Sequence, residues 1–132
     1  MIRTYLDAGV LIAAVRGDPG PARAAYDLLE NPEREFVASV FLRLEVLPKA
    51  IHQRRAAEVA FYRRYFERVV AWAEPIDELA GRAEQEAAQY GLSALDALHV
   101  AAALMLSADE FVTTEGLRRP IHRAMGVRVV PI

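Results

Sequence analysis

Four carboxylates are the residues of this chain best placed to do chemistry: Asp7, Glu45, Asp96 and Glu115. Asp7 interrupts the apolar run Tyr5-Leu6-Asp7-Ala8-Gly9-Val10-Leu11-Ile12. An acid in such company needs a partner, because burying an unpaired charge is costly. Glu45 lies within two turns of Ser39 and shares a helix face with Phe41, Leu44 and Pro48. Asp96 falls in the first turn of the apolar segment Ser93–Leu106, and Glu115 follows Phe111-Val112-Thr113-Thr114. Carboxylates gathered together raise one another's pKa values unless a cation neutralises them. Hard oxygen ligands without His or Cys suit Mg²⁺ or Mn²⁺. Such a site suits phosphodiester hydrolysis, in which the ion activates water and holds the departing oxygen.

The elements that must position these acids alternate between short β-like runs and helical ones. That pattern predicts an α/β fold, a parallel sheet flanked by helices. Strands are expected at Arg3–Leu6, Glu35–Ala38, Val69–Ala73, Glu110–Thr113 and Val127–Val130. A buried helix begins at Val10, and further helices are expected over Pro21–Glu30, Val40–Ile51, Arg54–Arg68, Ile76–Gln89 and Ser93–Leu106. A short helix over Arg118–Met125 precedes the last strand. Pro48 should kink or end its helix, and Tyr90-Gly91 should end another. The stripe Phe61, Tyr62, Tyr65 and Phe66 has helical spacing and reads as core or subunit-interface packing. With right-handed crossovers, all four acids fall at the carboxyl edge of the sheet, where open α/β folds bind ligands. Strand order decides whether they converge.

Each acid also has a purely structural explanation. Asp7 could cap the next helix, and Asp96 fits the capping pattern Ser-x-x-Asp. Glu45 could pair with an arginine on a neighbouring helix, and Glu115 could be a surface loop residue. Their joint occurrence favours chemistry. Other chemistries lack their residues. There is no phosphate-binding glycine loop, and Ser39, Ser93 and Ser107 have no nucleophile-elbow context. His52, His99 and His122 show no metal-ligand spacing, and His99 reads as a packed, hydrogen-bonded histidine.

The chain has 132 residues, 54% of them hydrophobic, which bounds it to one domain spanning residues 1–132. No cysteine is present, so disulfides, thiolate chemistry and cysteine zinc sites are excluded. No apolar run approaches the ~20 residues of a membrane span, and the first residues do not read as a signal peptide. The expected location is cytoplasmic. A net charge of −2 excludes a uniformly basic nucleic-acid binder. Basic residues nevertheless cluster at Arg118, Arg119, His122, Arg123 and Arg128, and at Lys49, His52, Arg54 and Arg55.

Taken together, the motifs resemble those of the PIN-domain ribonucleases, especially the VapC-type toxins of toxin–antitoxin pairs. The opening run through Asp7 resembles the family's Leu-Asp-Thr-Asn-Val-Leu-Ile, and Ser39-Val40-Phe41-Leu42-Arg43-Leu44-Glu45 its Ser/Thr-rich segment ending in Glu. Leu95-Asp96-Ala97-Leu98-His99-Val100-Ala101-Ala102-Ala103 resembles its Asp-Ala-Leu-Ile-Ala-Ala block, and Phe111-Val112-Thr113-Thr114-Glu115 its Leu-Val-Thr-x-Asp block. The resemblance covers nearly the whole chain, with the four motifs in order. It implies a three-layer α/β/α domain with a central parallel sheet of about five strands in the order 3-2-1-4-5. It implies that Asp7, Glu45 and Asp96 are ligands of Mg²⁺ or Mn²⁺, that Glu115 is the fourth acid, and that Thr113 is a polar support. It further implies an RNA substrate, a homodimer and a cognate antitoxin that blocks the site.

Two residues depart from the family pattern. Gly9 stands where the family has Asn, which removes a side chain able to orient Asp7 or substrate. Glu115 stands where it has Asp, which carries the carboxylate outward by one methylene. These departures keep open a second reading, a PIN-like RNA- or partner-binding module with a degraded metal site. A phosphotransfer domain using Asp7 as acceptor lacks its usual helpers, since position 9 is not an acid and Lys49 is not at a strand end.

Overall fold

The computed structural model describes residues Met1–Ile132. Five strands, β1 (Ile2–Leu6), β2 (Arg34–Ala38), β3 (Val69–Trp72), β4 (Glu110–Thr113) and β5 (Arg128–Pro131), form one parallel sheet. Their order is β3-β2-β1-β4-β5, as the resemblance implied. From β1 the chain moves outward through β2 to β3, then returns across the sheet to β4. The switch of direction therefore lies between β1 and β4, and ligand crevices open at the carboxyl ends of strands beside such a switch. Asp7 ends one of these two strands and Thr113 ends the other.

Alternation along the strands divides the core into two layers. Leu6, Phe36, Ala38 and Val112 face helices α1 (Ala8–Arg16), α2 (Pro21–Glu30), α3 (Val40–His52) and α4 (Ala56–Arg68). Tyr5, Val37 and Phe111 face α5 (Ile76–Tyr90) and α6 (Ala94–Met105). Successive strand residues point to opposite faces, so strands buried on both sides read as unbroken apolar runs. The aromatic stripe of α4 belongs to the first layer, with Tyr62, Tyr65 and Phe66 buried. Tyr65 packs on Phe36 and Phe66 on Trp72, at centroid separations of 5.6 and 5.7 Å. Each such ring contributes about 1.5–3 kcal/mol of burial.

Local signals account for most helix ends. Ser39 and Ser93 cap α3 and α6, accepting from Leu42 and Asp96 N–H. Gly91 ends α5 with φ 68°, a left-handed conformation that costs glycine little. Two elements differ from a simple reading. α3 continues through Pro48 to His52. The proline deprives the Leu44 carbonyl of its helical donor, but Leu44 is exposed on the outer side of α3, where water can replace the bond. The helix expected over Arg118–Met125 shrinks to one 3₁₀ turn, Pro120–Arg123. Pro120 holds Arg119 in an extended conformation (φ −75°, ψ 146°), which blocks an earlier helical start. None of the helices is long and apolar enough to cross a membrane.

Candidate active site

Asp7 is the N-cap of α1, as its structural reading predicted. Its Oδ1 accepts from Val10 N–H at 3.2 Å, and its own N–H donates to Val112 O of β4 at 3.0 Å. Its Oδ2 accepts from the Thr113 hydroxyl. Thr113 Oγ1 in turn accepts from Glu115 N–H at 3.0 Å. That incoming N–H leaves the threonine proton free to point at Asp7, so the loop carrying Glu115 holds the aspartate through one buried hydroxyl. Burial pushes the Asp7 carboxyl above its ordinary value; Thr113, Val10 and the nearby His99 pull it partly back, and Glu115 pushes it further up. No arginine or lysine pairs with it.

Glu45 does not meet an arginine. It sits one turn after Phe41 on the side of α3 that faces α6, and its Oε1 bonds to His99 Nε2. His99 is 3% exposed, and its Nδ1 lies 2.6 Å from the buried Tyr5 hydroxyl. Asp96 precedes His99 by one turn on the same face of α6, toward the rim. Ser93 Oγ accepts from Asp96 N–H at 3.3 Å, as the capping pattern predicts. The half-buried Asp96 carboxylate makes no hydrogen bond or ion pair of its own. Glu115 pairs with Arg119 at 3.2 Å, and His122 Nε2 bonds to the Glu115 carbonyl at 2.8 Å. The C-terminal basic cluster therefore partly serves to hold the Glu115 loop. Arg123 is engaged too, donating to Tyr90 O at 3.2 Å.

The strand order brings Asp7, Thr113 and Glu115 together across the switch, and a buried histidine joins the helices carrying Glu45 and Asp96. The acids do not yet converge: no three His, Asp or Glu side chains stand close enough to hold one metal ion. The donor set still fits Mg²⁺ or Mn²⁺. It consists of carboxylate oxygens, and its most buried member lacks a counter-charge. Gly9, the departure beside Asp7, has a structural counterpart in Thr114. A Cβ at Gly9 would collide with the Thr114 hydroxyl and lie 3.4 Å from Asp7 Oδ1. The space a side chain at position 9 would need is already filled.

Residues 4–117 match the family model described as PIN domain, and the chain belongs to that family of nucleases. No curated protein sequence matches it significantly. Its fold is similar to that of VapBC2 from Rickettsia felis bound to a DNA fragment from their promoter, with TM-score 0.73, 14% identity and 99% of each chain covered. It is also similar to a toxin–antitoxin complex from Klebsiella pneumoniae, with TM-score 0.64, 21% identity and coverage of 87% of this chain and 90% of that one. VapBC-5 of Mycobacterium tuberculosis, a member of the VapBC family of toxin–antitoxin systems, aligns at TM-score 0.61 and 19% identity over the whole of both chains. At these identities the likeness is one of fold.

His99 is the packed, hydrogen-bonded histidine expected from the sequence, whereas Ser39, Tyr5 and Thr114 lie inside the motifs without a role having been assigned to them. Their signal was nevertheless present. A histidine on an otherwise apolar helix face needs a buried partner, and Tyr5 offers a hydroxyl two residues before Asp7.

Proposed function

We propose that this chain is a Mg²⁺- or Mn²⁺-dependent endoribonuclease and the toxin half of a VapBC-type toxin–antitoxin pair. One observation carries the reading. Asp7 is a part-buried carboxylate with no arginine or lysine partner at the topological switch, held from both sides by hydrogen bonds that leave lone pairs free. Asp7, Glu45, Asp96 and Glu115 would hold the ion. When bound, it supplies Lewis-acid polarisation of a phosphodiester and neutralises the carboxylates. Thr113 and the Val10 N–H fix the two oxygens of Asp7, His99 orients Glu45, and Arg119 restrains Glu115. The antitoxin partner is supported by the toxin–antitoxin systems among the similar folds. The homodimer rests on the family resemblance, and light scattering would check it.

The test is manganese-dependent cleavage of single-stranded RNA by the wild type and by Asp7→Asn and Asp96→Asn. Cleavage should fall at least a hundredfold in both, roughly the cost of losing a group that acts only in the transition state. Undiminished cleavage in both would sink the metal-site reading. The rival, a binding module with a degraded site, is favoured by the lack of convergence among the acids. Calorimetry separates the two, because a degraded site takes up no Mn²⁺ and is indifferent to Asp7→Asn.

A further inference from the structure

Beneath the carboxylates a chain of side-chain hydrogen bonds starts at the N-cap of α3 and runs on beyond it. Leu42 N–H meets Ser39 Oγ at 3.4 Å, Ser39 Oγ lies 2.8 Å from Tyr5 Oη, and Tyr5 Oη lies 2.6 Å from His99 Nδ1. His99 Nε2 then bonds to Glu45 Oε1. Ser39 and Tyr5 are wholly buried, and His99 is 3% exposed. The chain links β1, the start of α3 and α6, then ends at the one carboxylate on α3.

Counting donors sets the direction of every bond. A Glu45 carboxylate can only accept, so His99 Nε2 carries a proton, and in the Nε2–H tautomer Nδ1 is an acceptor. Tyr5 O–H therefore donates to Nδ1, Ser39 O–H donates to Tyr5 Oη, and Ser39 Oγ accepts from Leu42 N–H. In this arrangement the side-chain polar atoms of Ser39, Tyr5 and His99 all have hydrogen-bond partners. Burial drives the Tyr5 phenol well above its ordinary pKa, so it stays a neutral donor. Its ring is locked as well, stacked on Phe111 at 5.4 Å and 9°.

We propose that Tyr5 and His99 are positioning residues that aim the Glu45 carboxylate at the divalent ion. The inference rests on the reading of Glu45 as a metal ligand. His99 occupies Oε1, while Oε2 has no protein partner and is free to bind a cation. Ligating carboxylates are commonly oriented by such outer hydrogen bonds, and removing one typically weakens metal affinity about 10–100-fold. A half-buried glutamate on a helix would otherwise sample several rotamers, and the relay selects one.

The test measures Mn²⁺ dissociation constants on the full chain by calorimetry for the wild type, Tyr5→Phe, His99→Leu, His99→Gln and Glu45→Gln, with thermal unfolding as the check on folding. Tyr5→Phe keeps the stacked ring and loses only the hydroxyl. We expect Tyr5→Phe and His99→Leu to weaken Mn²⁺ about tenfold or more. His99→Gln places an amide N–H near the old Nε2 position and should recover part of the loss. Wild-type affinity in both Tyr5→Phe and His99→Leu, with binding lost in Glu45→Gln, would overturn the relay and leave the site reading intact. Wild-type affinity in Glu45→Gln would instead overturn the ligand assignment, and the relay with it. Nitrogen chemical shifts of His99 give a readout independent of metal: a proton on Nε2 and an accepting Nδ1 are expected, and the opposite tautomer overturns the proposal.

Discussion

Gly9 and Thr114 compete for one volume, because a Cβ on the glycine would fall on the threonine hydroxyl. Gly9 lies in the first turn of α1, where alanine normally adds about 0.5–1 kcal/mol of stability. Thr114 is short and β-branched, so it can yield only by rotating its hydroxyl away or shifting its loop. Overpacking of this kind costs about 1–3 kcal/mol, so the clash should win. Gly9→Ala is expected to destabilise the protein by about 1 kcal/mol. In a Thr114→Ala background the same change should stabilise by about 0.5 kcal/mol. Urea denaturation of the four members of the cycle measures this; additivity within about 0.5 kcal/mol would show that the two residues do not interact.

Thr113 controls Asp7 more directly, and its effect should appear in the pH dependence. Burial raises the Asp7 pKa, and the Thr113 hydroxyl is the largest influence opposing that rise. Ligation requires the ionised carboxylate, so activity should fall as pH drops through the Asp7 pKa. Thr113→Val removes the hydroxyl at nearly constant shape. The Asp7 pKa then rises further, and the acid limb of the rate profile should move to higher pH. Activity on the plateau should fall about 10–100-fold, as for other outer-shell losses. A pH–rate profile with an unmoved acid limb would refute the coupling.

How much of this was legible beforehand differs between the fold and the site. The strands betrayed themselves through unbroken apolar runs such as Phe36-Val37-Ala38, which follow from burial on both faces. Ser39, Ser93 and Gly91 marked helix ends because capping is local chemistry. The helix expected over Arg118–Met125 is a 3₁₀ turn over Pro120–Arg123, because Pro120 holds Arg119 extended and the turn stops at Ala124. At the site, the identities of the acids were readable but their partners were not. The Glu45–His99 bond joins residues 54 apart, and Asp7–Thr113 joins residues 106 apart. Such pairings depend on strand order, which no local spacing encodes.

The buried pair Arg34–Glu110 offers a stability prediction away from the site. Arg34 at the start of β2 reaches past Thr4 of β1 to Glu110 at the start of β4, and Thr4 Oγ1 bonds to both. Both side chains are largely buried, at 16% and 10% exposure, and Arg34 Nε has no partner. Removing one member strands the other charge at a cost of about 3–5 kcal/mol, whereas replacing both by apolar residues is often neutral. Glu110→Leu should therefore lower the unfolding midpoint sharply, and Arg34→Met with Glu110→Leu should recover most of it. Cleavage per folded molecule should be unaffected in the double variant. Calorimetric melting checks the recovery, and a double variant no better than Glu110→Leu would count against a charge-based account.

Asp7 should trade stability for function. Its folded-state pKa is raised, so the folded chain binds that proton more tightly than the unfolded one. The sign follows: without metal, stability rises as pH falls through the raised pKa, and the ionised form at neutral pH is a cost to folding. Asp7→Asn removes that charge while keeping a side chain able to cap α1. The metal-free variant should then melt at or above the wild-type temperature at pH 7 while cleaving no RNA. Metal reverses the order, because an ion that binds only the folded protein stabilises it by about 2.7 kcal/mol at a hundred times its dissociation constant. Saturating Mn²⁺ should raise the melting temperature of the wild type and leave Asp7→Asn unmoved. If instead the variant melts well below the wild type without metal, Asp7 is first of all a structural cap, and its buried charge is not held in reserve for a cation.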